Sequence, residues 1–257
     1  MDDFVKKDSV VKKIWSNTDV ILFIFAGAAA EFSLNKAVDW LYFTGKLPKD
    51  PLGRLFSTVA YAQKIVFSTT QQANQAIDQI TAIHQHVEAA RKSKIPDWAY
   101  RDVLFMLIDY SIRSFKLLER KLTDLEKEEV FNVFYRVGNR MNIADLPKNY
   151  AEWVVMHQTQ LHENLIYGPF SKDLYLQYRK HLGFVRFNLM KKIQAILVPK
   201  EVNLLLQLGN GKGIATVLSA YKTSRLFKMN ELFRNMILPN NYKSQILSLA
   251  DANKNAF

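Results

Sequence analysis

Three observations predict an all-α fold. Apolar residues recur at spacings of three and four along most of the chain, which is the period of one helix face. Nine Gly and seven Pro in 257 residues leave few places to turn, whereas a β-rich chain needs many. No stretch alternates apolar and polar residues over the length of a strand,. With 49% hydrophobic residues the chain can bury a sizeable core,. It shows no repeat and no linker, so the expectation is one multi-helix globular domain over 1–257.

The helices follow in order. Val5 to Trp15 reads as a short basic helix, closed by the polar break Ser16-Asn17-Thr18-Asp19 with its good N-cap residues,. Val20 to Tyr42 reads as one long helix, mostly buried at first. Phe43 to Lys49, with Gly45 and Pro48, is a loop. Asp50-Pro51 restarts a helix, Asp as N-cap and Pro at the first helical position, running to about Phe67,. Ser68-Thr69-Thr70 caps the next helix, which extends to Arg91. After the turn Lys94 to Asp97, Trp98 to Leu122 is helical, and Asp109 and Arg113 sit one turn apart on it,. Thr123 to Glu126 is a capping box that opens a helix to Met141,. Tyr150 to Ile166, Lys172 to Phe184 and Val185 to Leu197 complete the main set. A short helix follows Val198-Pro199 and ends by Leu208. Beyond the glycine-rich loop Gly209 to Gly213, Ile214 to Leu238 reads as helix, and a basic segment closes the chain.

Composition excludes several classes. There is no cysteine, so disulfides, zinc–thiolate sites, iron–sulfur clusters and thiolate-ligated haem are out. Any metal must use His, carboxylate, Tyr or Met. The net charge is +11, which suits nucleic acid, anionic membrane or acidic ligands. The Lys and Arg residues are scattered, however, and no nucleic-acid motif occurs. No nucleic-acid partner is expected, and a peripheral membrane contact stays open. The apolar run Val20 to Ala30 is too short to span a bilayer, for which about 20 residues are needed. It also lacks the flanks of a signal peptide, so the expected location is cytoplasmic. Oligomeric state is not legible.

The candidate chemistry centres on the helix before Arg91. Ala73, Ile77, Ile80, His84 and Val87 form one stripe,. Its histidine should therefore face inward, either bonded locally or offering a lone pair to a metal. Arg54 and Thr58 lie one turn apart and face the interior, as a structural pair or as a clamp on an acidic ligand. Gly209 to Gly213 lacks the rest of a phosphate loop. No His-x-x-x-His zinc pair, Glu-x-x-His bundle signature or Gly-x-Ser-x-Gly elbow occurs,. Glu31, Asp39 and Asp109 sit in apolar surroundings, more in the manner of ion-pair partners than of general bases. His86, two positions from His84, faces elsewhere on the helix, and His157, His162 and His181 fall among polar residues, so these four are the weaker candidates,.

The order of four segments resembles the oxygenase family of MpaB and the rubber oxygenase (latex clearing protein) catalytic domain. They are Asp50-Pro51-Leu52-Gly53-Arg54-Leu55-Phe56-Ser57-Thr58, His84-Gln85-His86-Val87, Leu107-Ile108-Asp109, and Arg136-Val137-Gly138 leading to Leu146-Pro147. The likeness spans roughly 19–238. It implies an all-α fold around haem b and an oxidoreductase that uses dioxygen on an apolar, isoprenoid-like small substrate. His84 would be the iron ligand, and Arg54 and Thr58 would belong to the haem pocket and its catalytic groups. Two positions depart from the family pattern: Asn35-Lys36-Ala37-Val38 replaces a His-Pro-Ala-Val segment, and Leu104 stands where many members have histidine. Glu31 and Asp39 are the remaining candidates for a polar catalytic group. The rival expectations are a non-redox helical ligand-binding protein and a membrane-surface interaction protein.

Overall fold

The computed structural model describes residues 2–45, 49–211, 213 and 218, with the side chains of 54–56 excepted. These residues form an all-α protein with ten helices: α1 Val10–Ser16, α2 Thr18–Leu34, α3 Val38–Phe43, α4 Pro51–Val66, α5 Thr70–Arg91, α6 Asp97–Leu118, α7 Asp124–Arg140, α8 Tyr150–Glu163, α9 Pro169–Leu197 and α10 Lys200–Leu206. No strand occurs among the described residues, only two isolated bridges. Apart from Leu218, the expected helix from Ile214 to Leu238 lies outside the described residues.

The centre of the molecule is α2, against which α6 and α9 pack most extensively. Its sequence, TDVILFIFAGAAAEFSL, is apolar on nearly all faces, and a helix of that kind must be covered all round,. Burial follows: Val20, Ile24, Ala30 and Leu34 are inaccessible to solvent. Gly27 lets α6 approach closely, because a Cβ there would lie 2.1 Å from Cδ1 of Tyr110. Among the described residues no single helix is long and apolar enough to cross a membrane. The pair α1 and α2 meets the length and composition criterion only together, bent by 84°.

Caps set most boundaries where the sequence puts them. Asp50 accepts from the Gly53 amide at 2.9 Å with Pro51 following. Thr69 with Gln72, and Thr123 with Glu126, form reciprocal capping boxes. One expected helix is divided. Val20 to Tyr42 breaks at Asn35, whose Oδ1 accepts from the Ala37 amide while its backbone stays extended. A side chain that bonds the backbone two residues on offers the chain an alternative to the helix. The stretch from Lys172 to Leu197 belongs to one segment kinked at Gly183, at φ 74°. The turn thus precedes Phe184 rather than following it, because only glycine takes that backbone conformation freely.

Candidate functional site

Two apolar cavities lie side by side around α6. The first, about 180 Å3, is bounded by α4, α5, α6 and α7, with Tyr61, Ile80, Leu104, Phe134 and Val137 in its wall. The second, about 170 Å3, lies between α2, α3 and α6, with Phe25, Phe32, Trp40, Leu41 and Tyr178 in its wall. Thr58, His84, Tyr100, Val103 and Leu107 line both. His84 therefore stands at the partition, the one imidazole among mostly apolar walls. Beside it, Ile83 and Val103 remain 45% and 36% exposed, so the first cavity has an accessible apolar rim.

The stripe on α5 that marks His84 is real but graded. Ala73 and Ile77 are fully buried, while Ile80, His84 and Val87 are only partly so. The helix leaves the core as it nears its C-terminus, and His84 falls at the transition. Tyr100 meets its ring edge-on, with centroids 5.1 Å apart. The Tyr100 hydroxyl donates to Glu88 at 3.0 Å, which fixes the ring against the histidine. Burial, then the Glu88 carboxylate, hold the Tyr100 pKa well above its ordinary value, so the phenol keeps its proton. His86 is exposed, away from both cavities.

The other predicted site residues divide. Thr58 is at the site. The side chain of Arg54 lies outside the described residues. Leu104, in the position of the family histidine, is buried in the wall of the first cavity. Asn35 reaches the second cavity but donates to Asp102 at 2.8 Å. In the Arg136-Val137-Gly138 stretch, Val137 lines the first cavity. Arg136 turns away, donating to the Phe4 carbonyl at 2.8 Å with its guanidinium over the Phe4 ring. Asp39 lines neither cavity. It pairs with Arg91 at 2.7 Å, and Arg91 lies 4.0 Å above the Trp40 ring.

Glu31 and Asp109 lie on the opposite side of α6. Tyr100, Val103, Leu104 and Leu107 occupy its cavity face, and Asp102, Phe105 and Asp109 lie about half a turn away. There Glu31, Asp109 and His157 come from α2, α6 and α8, and a ligand atom from each lies within 4.8 Å of the other two. Asp109 forms the expected pair with Arg113, at 2.5 Å. Glu31 accepts from the Tyr110 hydroxyl at 2.8 Å and from Gln160 at 3.1 Å. His157 Nε2 stands 3.8 Å from Glu31, an electrostatic contact too long for a hydrogen bond,. Burial works to discharge the His157 ring, but Glu31 and Asp109 outweigh it and raise its pKa. Asp102 is pushed up to about 7, first by burial and further by Glu31, although Asn35 and Asn164 bond its carboxylate. Sequence reasoning placed His157 among the weak histidines. The signal that finds it is the rule that found His84, since Trp153, His157, Gln160 and Leu161 are the buried residues of α8.

No curated protein and no solved structure matches this chain. Residues 15–218 match the family model described as ER-bound oxygenase mpaB/B'/rubber oxygenase, catalytic domain; the chain belongs to that oxygenase family.

Proposed function

We propose that this protein is a haem b-dependent oxygenase acting with dioxygen on an apolar, isoprenoid-like substrate. The observation that carries the reading is the position of His84, a lone imidazole between two cavities whose walls are otherwise mostly aliphatic and aromatic. The donor chemistry suits a haem: an imidazole nitrogen in the shared wall of two apolar cavities, with no thiolate in the chain,. Haem, when bound, supplies the iron centre at which dioxygen is activated.

The chain's own residues have distinct tasks in this reading. His84 would ligate the iron, and Tyr100, held by Glu88, would limit rotation of the imidazole. Arg54 would supply a counter-charge for the anionic cofactor, and the Thr58 hydroxyl would offer a polar group at the partition. The apolar walls exclude water and hold an apolar chain by burial. Leu104 brings no proton-transferring group to the first cavity. Ser57, Thr58 and Tyr61 bring hydroxyls to its wall but no acid or base that works near neutral pH,, so the cofactor would carry most of the chemistry.

The test is the absorbance spectrum of tag-free protein, as purified and after addition of haemin. Wild type and His86→Ala should show a Soret band at one haem per chain. His84→Ala should lose it, with external imidazole restoring part of it. A wild-type spectrum in His84→Ala removes the ligand assignment. A wild type that takes up no haem removes the oxygenase reading in favour of non-redox ligand binding.

A further inference from the structure

The polar cluster behind α6 belongs to neither cavity. None of Glu31, Asp109 and His157 lines either one, and all three are buried, at 0%, 6% and 5% exposure. Three helices each contribute one ligand-capable side chain to the same point. His157 Nε2, aimed at Glu31 from 3.8 Å, is buried without a hydrogen-bond partner. Buried polar atoms are satisfied in the great majority of cases, so this nitrogen calls for a partner at that point. Charge points the same way. Glu31 and Asp109 are two buried carboxyl groups beside the one guanidinium of Arg113.

We propose that Glu31, Asp109 and His157 form a buried site for one divalent transition cation, separate from the His84 cavities. Two carboxylate oxygens and an imidazole nitrogen suit Zn2+, Mn2+ or Fe2+ rather than Ca2+ or Mg2+. Metal–ligand bonds of about 2.1 Å place neighbouring ligands roughly 3–3.5 Å apart. The 3.8 Å between His157 Nε2 and Glu31 needs only a small contraction to reach that. Gln160 supplies a fourth ligand if its amide turns over, bringing its Oε1 to the ion. The outer groups are already in place: Tyr110 holds Glu31 and Arg113 holds Asp109, the kind of support that orients metal ligands. With ligands that line neither of the two cavities, the ion is structural in this proposal, pinning α2, α6 and α8 together.

The test uses the full-length, tag-free chain after chelator treatment, titrated with Co2+, Zn2+ and Mn2+. One equivalent of Co2+ should produce the visible absorption of a nitrogen–oxygen site. Zn2+ or Mn2+ should raise the melting temperature reversibly to chelator. His157→Gln and Glu31→Gln should each weaken binding tenfold or more. His84→Ala should keep the full equivalent, which separates this site from the proposed haem site. The proposal is overturned if the wild type shows no saturable binding, or if His157→Gln binds like the wild type. It is equally overturned if nitrogen NMR of chelator-treated and Zn2+-loaded wild type gives the same His157 imidazolium signal, for then a proton fills the gap. The wild-type titration decides the matter even where a variant does not fold.

Discussion

Gly27→Ala tests whether the contact between α2 and α6 is as close as its geometry requires. The added methyl would fall 2.1 Å from Cδ1 and 2.3 Å from Cε1 of Tyr110, well inside van der Waals contact. Tyr110 is fully buried and its hydroxyl holds Glu31 at 2.8 Å, so the ring cannot swing into solvent. Overpacking of this kind costs about 1–3 kcal/mol. Losing a hydrogen bond to a carboxylate costs about 1.5–3 kcal/mol more. Against this, alanine is the better helix former by about 1 kcal/mol. The net loss should be about 2–5 kcal/mol, a fall in melting temperature of roughly 5–15 °C at this chain length. Urea unfolding followed by circular dichroism measures it directly. Pairing the change with Tyr110→Leu isolates the cause, since Gly27→Ala should be nearly neutral once the ring is gone. A single variant as stable as the wild type would refute the reasoning, because the helices would then have room the structure denies them.

Asp102→Asn should flatten the pH dependence of stability between about 4 and 7. Its folded pKa, about 7 against an ordinary 3.8, means the folded state binds the extra proton and stability falls as pH rises through that window. The full effect is on the order of 4 kcal/mol, and denaturant melts at a series of pH values would show an unchanged slope if the shift is absent. Thr123→Ala removes the side-chain half of a capping box and should cost about 1 kcal/mol, read as a lowered denaturant midpoint with catalytic turnover per folded molecule unchanged. Ile83→Ser, at an exposed rim position of the first cavity, should leave stability within about 0.5 kcal/mol while weakening uptake of an apolar fluorescent probe. Equal uptake would show that the rim takes no part in ligand entry.

Much of this fold is legible in the sequence because its determinants are local. Asp50-Pro51, Thr69 with Gln72 and Thr123 with Glu126 each fix a helix start within four residues. The stripe through His84 is local too, and it leads to the cavity. The missed break at Asn35 has a different origin. Asn35 is held by Asp102, 67 positions away, and the Leu34 carbonyl accepts from the Ile166 amide, so distant partners add to the local bond from the Ala37 amide in fixing the interruption. The central place of α2 is hidden for a related reason. Amphipathic pattern marks a helix at the boundary of the core. The helix that organises this molecule is α2, whose near-uniform apolarity leaves no stripe to read.

The same distinction separates the two polar centres. His84 announces itself because one polar residue interrupts an apolar stripe on a single helix. Glu31, Asp109 and His157 are ordinary where they stand: an acid after an alanine run, half of an Asp–Arg pair one turn apart, and a histidine among glutamines. Their meeting is a product of α2, α6 and α8 crossing, at sequence separations that no motif spans. Burial then changes their chemistry. Glu31 and Asp109 raise the pKa of His157 against the burial that opposes it, while burial first, and then Glu31, holds Asp102 near 7. Desolvated carboxylates need a counter-charge, and Arg113 alone is one charge for the two of Glu31 and Asp109. Whether a proton or a metal ion makes up the difference decides whether this side of α6 responds to pH or to metal, and the Co2+ titration distinguishes the two.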